Sequence, residues 1–177
     1  MDYFVLGARL LIGVVFLVAA VMKSRGAVAW RSTLESVAGL TRLRRLPMIR
    51  FVAGGVVATE IGTAALLAVE STVPFGFMLG LALLLGFSGA IAVALRGGSR
   101  QPCNCFGSGG DIGVSTLVRN GVLAAVAVGG LTHPVVGTLD PRATALTVAV
   151  AVTAAAFVVF AQDLTELFAV KTSRGDS

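Results

Sequence analysis

Residues 74–95 read PFGFMLGLALLLGFSGAIAVAL, a run of apolar and small residues without a charged side chain. A helix needs about 20 such residues to cross the roughly 30 Å hydrocarbon core of a bilayer. Backbone polar groups in lipid must be satisfied within the segment, and the run lacks the strict alternation of a barrel strand. The stretch therefore predicts a membrane-spanning helix.

Four further apolar segments accompany this one, and they cover residues 3–22, 48–69, 114–131 and 143–161. Of the 177 residues, 56% are hydrophobic and only 13% are charged, a composition typical of integral membrane proteins. The segment 114–131 is short and contains Arg119 and Asn120, so we expect it either to tilt or to start deeper than residue 114. The sequence predicts an all-α integral membrane bundle of four to five transmembrane helices, with one domain over 1–170 and a polar tail over 171–177.

The link between the first two spans is the longest polar stretch of the chain. Within it Trp30, Leu34 and Val37 recur at helical spacing among charged residues, which predicts a short helix at the membrane surface. Pro47 and Pro74 mark the starts of spans two and three, where a missing N–H costs least.

Basic residues set the expected orientation. The formal net charge is +5, and the basic side chains cluster beside apolar spans, which indicates topology and lipid contact and argues against nucleic-acid binding. Because short loops rich in Lys and Arg stay inside the cell, we expect an outside N-terminus and a cytoplasmic loop after span three. Seven basic residues lie around the first loop: Lys23, Arg25, Arg31, Arg42, Arg44, Arg45 and Arg50.

Cys103 and Cys105 are the only cysteines, and they lie in the run QPCNCFG at 101–107. Residues two apart can form a disulfide where the chain bends, and so small a ring suits reversible exchange better than structural cross-linking. The start of the next helix, and Arg119 about one turn into it, would stabilise a thiolate. The pair predicts a thiol–disulfide site, and which sulfur attacks stays open.

Other interpretations of the cysteines stay open beside this one. Free and unreactive thiols in a tight loop would need no function. Zinc sites usually take four ligands, and the only histidine, His133, follows span four on the predicted opposite face, so we expect no metal. The C-x-x-C-H run of a haem attachment is absent from the sequence.

Arg9 and Glu60 are ionisable residues well inside the first two spans, and Lys23 lies at the end of the first. At about 1.5 Å per residue, Arg9 and Glu60 come to comparable depths in the outer half of the bilayer. We therefore predict an Arg9–Glu60 ion pair, which either joins two helices or takes part in proton or substrate handling. Lys23 is expected to be an interfacial anchor.

The order of these residues resembles the methylamine-utilisation protein MauE family, a branch of the DoxX-like membrane proteins. The resemblance covers roughly residues 5–131 and rests on four features: the Arg9-to-Lys23 span, Glu60, the run Cys103-Asn104-Cys105-Phe106-Gly107, and Arg119-Asn120. It implies a redox-associated bundle with a DoxX-like four-helix core. It also implies a link to the maturation of methylamine dehydrogenase, together with a thioredoxin-like partner.

The resulting hypothesis is a bacterial inner-membrane thiol–disulfide protein. Cys103 and Cys105 would exchange with a thioredoxin-like protein or a membrane electron carrier, and a quinone is one candidate acceptor by analogy with membrane thiol oxidases. Arg119 would stabilise the thiolate, Phe106 and Gly107 would shape the turn, and Arg9 and Glu60 would hold the bundle.

Two alternatives belong to different classes: a non-enzymatic assembly or scaffold subunit, and a small proton-coupled transporter that uses Glu60. The orientation also leaves a conflict within the redox hypothesis. Disulfide formation in exported proteins belongs on the outer face, whereas the charge rule puts these thiols inside.

Overall fold

The computed structural model describes residues 2–41, 45–96, 114–133 and 140–173. The described residues form six α-helices and no strand, which confirms the all-α prediction. A 3₁₀ turn at Glu70–Thr72 joins the third helix to the fourth. The helices are α1 (Asp2–Ser24), α2 (Ala27–Thr41), α3 (Leu46–Ala68), α4 (Val73–Arg96), α5 (Val114–Thr132) and α6 (Pro141–Ser173).

Four helical segments are long and apolar enough to cross a membrane: α1, α3, α4 together with its preceding turn, and Pro141–Val159 of α6. The apolar part of α5, Thr116–Thr132, is shorter than these. The chain is therefore a multi-pass membrane protein. The expected shortness of the fourth segment is confirmed, so four of the five predicted segments meet the length of a full span.

Proline positions explain where several helices start. Pro47 lies in the first turn of α3, and Pro74 and Pro141 open α4 and α6, as residues without an N–H should. Asp140 caps α6, because its Oδ1 accepts a hydrogen bond from the Arg142 N–H at 2.7 Å. The predicted starts at Pro47 and Pro74 are confirmed.

The helix predicted in the first link is also confirmed, as α2. Trp30, Leu34 and Val37 are half-buried while Arg31 and Glu35 are exposed, so one face of α2 packs on the bundle. Its partners are α1, α3 and α4. Gly26 has φ = +139°, a conformation that favours glycine, and it lets the chain reverse between α1 and α2. Placement of α2 at a membrane surface stays a prediction.

Four helices form the core. α1 packs on α3, α3 on α4, α4 on α5, and α5 on α1; α1 and α4 also touch across the centre, and α3 and α5 lie on opposite sides of it. The buried residues Ala8, Ile12, Val15 and Ala19 recur every three or four positions along α1 and turn one stripe of that helix inward. The remaining helix, α6, packs on the outer side of α1.

The bundle has two ends. Arg96 and Val114, the residues on either side of the 97–113 connection, lie at the same end as the turn between α1 and α2, and we call this the Arg96 end. At the opposite, Tyr3 end, the Tyr3 hydroxyl accepts a hydrogen bond from the Asp140 N–H at 3.0 Å. His133 lies there too, with its ring 6.3 Å from that of Phe4.

Candidate functional site

Lys23 and Glu60 form an ion pair inside the bundle. Lys23 comes from the last turn of α1 and Glu60 from α3, and their side chains meet through Nζ and Oε1. Lys23 is 4% exposed and Glu60 is 0% exposed. Paired charges of opposite sign are the form in which ionisable groups are tolerated in such surroundings.

The predicted Arg9–Glu60 ion pair is wrong. Arg9 instead donates hydrogen bonds from Nε to the carbonyl of Leu67 and from Nη2 to the carbonyl of Ala68, the latter at 2.6 Å. These carbonyls belong to the last turn of α3, where no intrahelical N–H is available to bind them. Arg9 therefore caps the Tyr3 end of α3.

Helix register explains why Lys23 takes the place expected for Arg9. Gly13 faces Leu67, because a Cβ at position 13 would lie 3.9 Å from the Leu67 Cβ. Ten residues further along α1 is Lys23, and ten residues back along the antiparallel α3 is Val57, about one turn from Glu60. Side chains on a helix lean toward its N-terminus, and for Lys23 this direction leads to Glu60.

Lys23 is also not the interfacial anchor expected from the sequence. Glu60 lies fourteen residues from the start of α3 at Leu46, which is about 21 Å of helix on the Arg96 side. An ammonium group that is 4% exposed beside this carboxylate does not reach a membrane surface. The expectation failed because α1 ends partway along the neighbouring helix rather than level with its end.

Phe87 of α4 adds an aromatic ring to this pair. The Lys23 Nζ lies 5.3 Å from the centroid of the Phe87 ring, within the range of a cation–π contact. Phe87 could not be predicted from the sequence, because nothing distinguishes it from Phe75 and Phe77 in the same charge-free span. The ammonium is thus held by a carboxylate on one helix and a ring on another.

Asn120 of α5 lies at the same depth. The Phe77 ring packs directly on Gly130, where a Cβ would clash with it, and this contact fixes the register of the antiparallel α4 and α5. Counting ten residues from this contact toward the Arg96 end reaches Phe87 on α4 and Asn120 on α5. Asn120 is 3% exposed, so its amide lies inside the protein.

Each helix of the four-helix core thus contributes one residue at this depth. We call Lys23, Glu60, Phe87 and Asn120 the polar layer. Within the described part of the chain, Glu60 Oε2 and Asn120 Oδ1 are buried acceptors without a hydrogen-bond partner. Thr63, one turn from Glu60, does not bind either atom, because its hydroxyl donates to the Thr59 carbonyl at 2.9 Å.

Cys103, Cys105, Phe106 and Gly107 lie outside the described residues. The connection that carries them leaves α4 at Arg96, nine residues beyond Phe87, and enters α5 at Val114, six residues before Asn120. At about 1.5 Å per residue, these helix ends lie roughly 9–14 Å beyond the polar layer. Arg119 is half-buried and lies on α5 beside Asn120, and its predicted action on a thiolate stays a prediction.

The comparison with protein families gives one match. The family model described as "Methylamine utilisation protein MauE" matches residues 1–133, which include α1 to α5 and the cysteine-bearing connection and leave out α6. No curated protein and no solved structure matches the chain. Because the match covers well over half of the sequence, the chain belongs to the MauE family.

Proposed function

We propose that this MauE-family protein is a membrane thiol–disulfide redox protein in which Cys103 and Cys105 are the reacting groups. The observation that carries the proposal is the position of the only two cysteines, two residues apart, on the connection between α4 and α5. Both helices belong to the four-helix core, so the connection starts and ends on packed elements. Family membership supports a role connected with methylamine utilisation.

The reaction is a two-electron exchange. The dithiol form of Cys103 and Cys105 reduces a disulfide in the partner, and the chain gains its own disulfide while the partner gains two thiols. One thiolate attacks the partner's disulfide and forms a mixed disulfide, which the second thiolate then resolves. The reverse sequence oxidises a partner dithiol. A thioredoxin-like protein is the partner class that the resemblance implies.

The orientation of the site belongs to this proposal as well. Over residues 2–96, exposed basic side chains concentrate on the elements of the Arg96 end, and Glu35 is the single exposed acidic side chain at that end in this part of the chain. By the positive-inside rule the cysteine-bearing connection faces the cytoplasm. The exposed basic residues are Arg25, Arg31, Arg45, Arg50 and Arg96.

Trapping of a mixed disulfide tests the reaction. In Cys103→Ser or Cys105→Ser, a remaining attacking thiol cannot be resolved, so one of the two variants should accumulate a partner adduct that reductant releases. The doubly substituted variant is the matched control and should accumulate none. If neither single variant forms an adduct under oxidising and reducing conditions, the proposed reaction is refuted.

A second candidate function, proton-coupled transport, is favoured by one observation. Glu60 is fully buried in a membrane-spanning helix and keeps an acceptor oxygen without a partner among the described residues. Glu60→Gln should then abolish transport while the cysteine variants leave it intact. Under the redox proposal the opposite order of sensitivity is expected, because the cysteines carry the electrons.

A further inference from the structure

A narrow cleft runs along α1 between α5 and α6. Both of these helices pack on α1, but among the described residues they are not a packed pair with each other. The cleft between them has a volume of about 350 Å³. Gly7, Ala8 and Leu11 of α1 form its floor, and Val126 of α5 and the face of α6 between residues 146 and 154 form its walls. Small side chains on the floor leave this space open.

The lining of the cleft is apolar along most of its length. Val126, Leu146 and Val150 turn hydrocarbon toward it. The Thr147 hydroxyl also lines it, but this group is committed to the Ala143 carbonyl at 2.8 Å. A buried water molecule needs two to four polar partners, so this lining suits an apolar occupant instead.

The cleft is also too narrow for a protein helix. It extends from Tyr3 to Leu11 along α1 and from Leu146 to Ala154 along α6, which is about 12 Å on each side. The volume divided by this length gives a cross-section of roughly 30 Å², much less than that of an α-helix about 10–12 Å in diameter. A single extended hydrocarbon chain matches this shape.

The polar end of the cleft lies at the edge of the membrane-spanning region. Tyr3 lies in the first turn of α1, and its hydroxyl binds the N–H of Asp140 just before α6. Membrane-spanning segments of both helices start here, a depth at which tyrosine is frequent. The Tyr3 hydroxyl can still donate its own hydrogen, and Arg142 is exposed two residues after Asp140. A guanidinium suits a phosphate group.

We propose that the cleft holds one acyl chain of a phospholipid, whose phosphate binds Arg142 and whose ester carbonyl accepts a hydrogen bond from Tyr3. The chain fills the space between α5 and α6 and supplies the dispersion contacts that an empty cleft would forfeit. It therefore fixes α6 to the four-helix core, which α6 otherwise meets mainly through α1. The site is separate from the cysteine chemistry and lies toward the opposite end of the bundle.

Lipid binding to the full chain, delipidated in detergent micelles and titrated with phosphatidylglycerol, tests the proposal by native mass spectrometry. The wild type should hold one phosphatidylglycerol more tightly than any further ones. Ala154→Phe places a ring in the inner part of the cleft and should weaken this binding about tenfold, the effect of excluding roughly two methylene groups from an apolar site. Ala149→Phe, at an exposed position of α6 outside the cleft, is the matched control and should bind as the wild type does. Equal binding by the wild type and Ala154→Phe overturns the proposal.

The headgroup is tested with two lipids that lack a phosphate. Diacylglycerol with the same acyl chains, and ubiquinone, should each bind the wild type more weakly than phosphatidylglycerol does. Arg142→Gln should remove most of the difference between phosphatidylglycerol and diacylglycerol. A wild-type chain that binds diacylglycerol equally well, or that prefers ubiquinone, overturns the assignment to a phospholipid.

Photolabelling of the wild type locates the lipid even if Ala154→Phe does not fold. One equivalent of phosphatidylglycerol that carries a diazirine on an acyl chain should label the cleft, at Leu11 or Val150, in preference to Leu85. Leu85 is a fair reference because it lies on α4 outside the cleft and is 59% exposed. Equal labelling of Leu85 would mean general solvation by the bilayer and overturns the proposal.

Discussion

Two cationic side chains lie on the same helix, α1, and the protein neutralises them in different ways. Arg9, near the Tyr3 end, binds two backbone carbonyls that end α3. Lys23, in the last turn, binds a fully buried carboxylate and lies over an aromatic ring. A planar guanidinium with several donors suits two carbonyls side by side, whereas a compact ammonium suits one carboxylate oxygen.

Arg9 thus binds the carbonyls at the end of one helix, α3, whereas Lys23 links three helices, α1, α3 and α4. Loss of Arg9 would leave two carbonyls at a helix end, a position where water or lipid headgroups can replace it. Loss of Lys23 would leave the fully buried carboxylate of Glu60 without the ammonium that binds it. The two sites should therefore differ strongly in their tolerance of substitution.

The largest effect should come from breaking the Lys23–Glu60 pair on one side. Lys23→Met leaves Glu60 as an uncompensated buried charge, which should lower the free energy of unfolding by about 3–5 kcal/mol. Unfolding in mixed micelles followed by circular dichroism measures this. Lys23→Met combined with Glu60→Gln removes both charges and should recover most of the loss. A double variant that is no more stable than Lys23→Met would contradict the pairing.

The second-largest loss of stability should come from disturbing the contact between Phe77 and Gly130. This contact sets the register of α4 against α5 and so places Asn120 level with Phe87. Gly130→Val places a side chain against the Phe77 ring and should destabilise the bundle by about 1–3 kcal/mol through overpacking. Gly121→Val, at a position with open space on the same helix, is the matched control and should cost less. A loss at Gly121 equal to that at Gly130 would show that this contact does not set the register.

A smaller effect is expected at Arg9. Arg9→Met removes the hydrogen bonds to Leu67 and Ala68 and should cost about 1–2 kcal/mol, less than Lys23→Met, because helix-end carbonyls can find other donors. The same unfolding measurement serves, with Arg25→Met as the exposed control on the turn after α1. If Arg9→Met is as damaging as Lys23→Met, the proposed contrast between the two cations fails.

The smallest effect should come from the ring over Lys23. Phe87→Leu keeps an apolar side chain and removes the cation–π contact, which should cost about 0.5–2 kcal/mol. The cost should largely vanish in a background that already carries Lys23→Met, because the ammonium is then gone. An unchanged cost in that background would mean that Phe87 acts by packing alone.

Several features of the fold follow directly from the sequence. The run 74–95 has the length and apolarity of a span, and Pro47 and Pro74 mark helix starts, because these properties are local to each segment. The half-buried face of α2 likewise follows from the spacing of Trp30, Leu34 and Val37. The resemblance to the MauE family came from short motifs of the same local kind, and the family match over residues 1–133 confirms it.

The partner of Glu60 could not be predicted in this way. Depth counting assumed that the ends of neighbouring helices lie level, and it therefore favoured Arg9 over Lys23. The actual stagger depends on tertiary contacts such as Gly13 against Leu67, which no periodicity reveals. Phe87 escaped prediction for the same reason, while the predicted roles of Cys103 and Cys105 fall outside the described residues and stay predictions.

The most direct test of the proposed function is a redox titration of Cys103 and Cys105 in the intact protein in its membrane, read by alkylation and mass spectrometry. If the two cysteines exchange electrons as proposed, the peptide that carries both residues loses a pair of hydrogens as the thiol–disulfide buffer becomes more oxidising, and regains them on reduction. A pair that remains a dithiol in every buffer would contradict the proposed exchange.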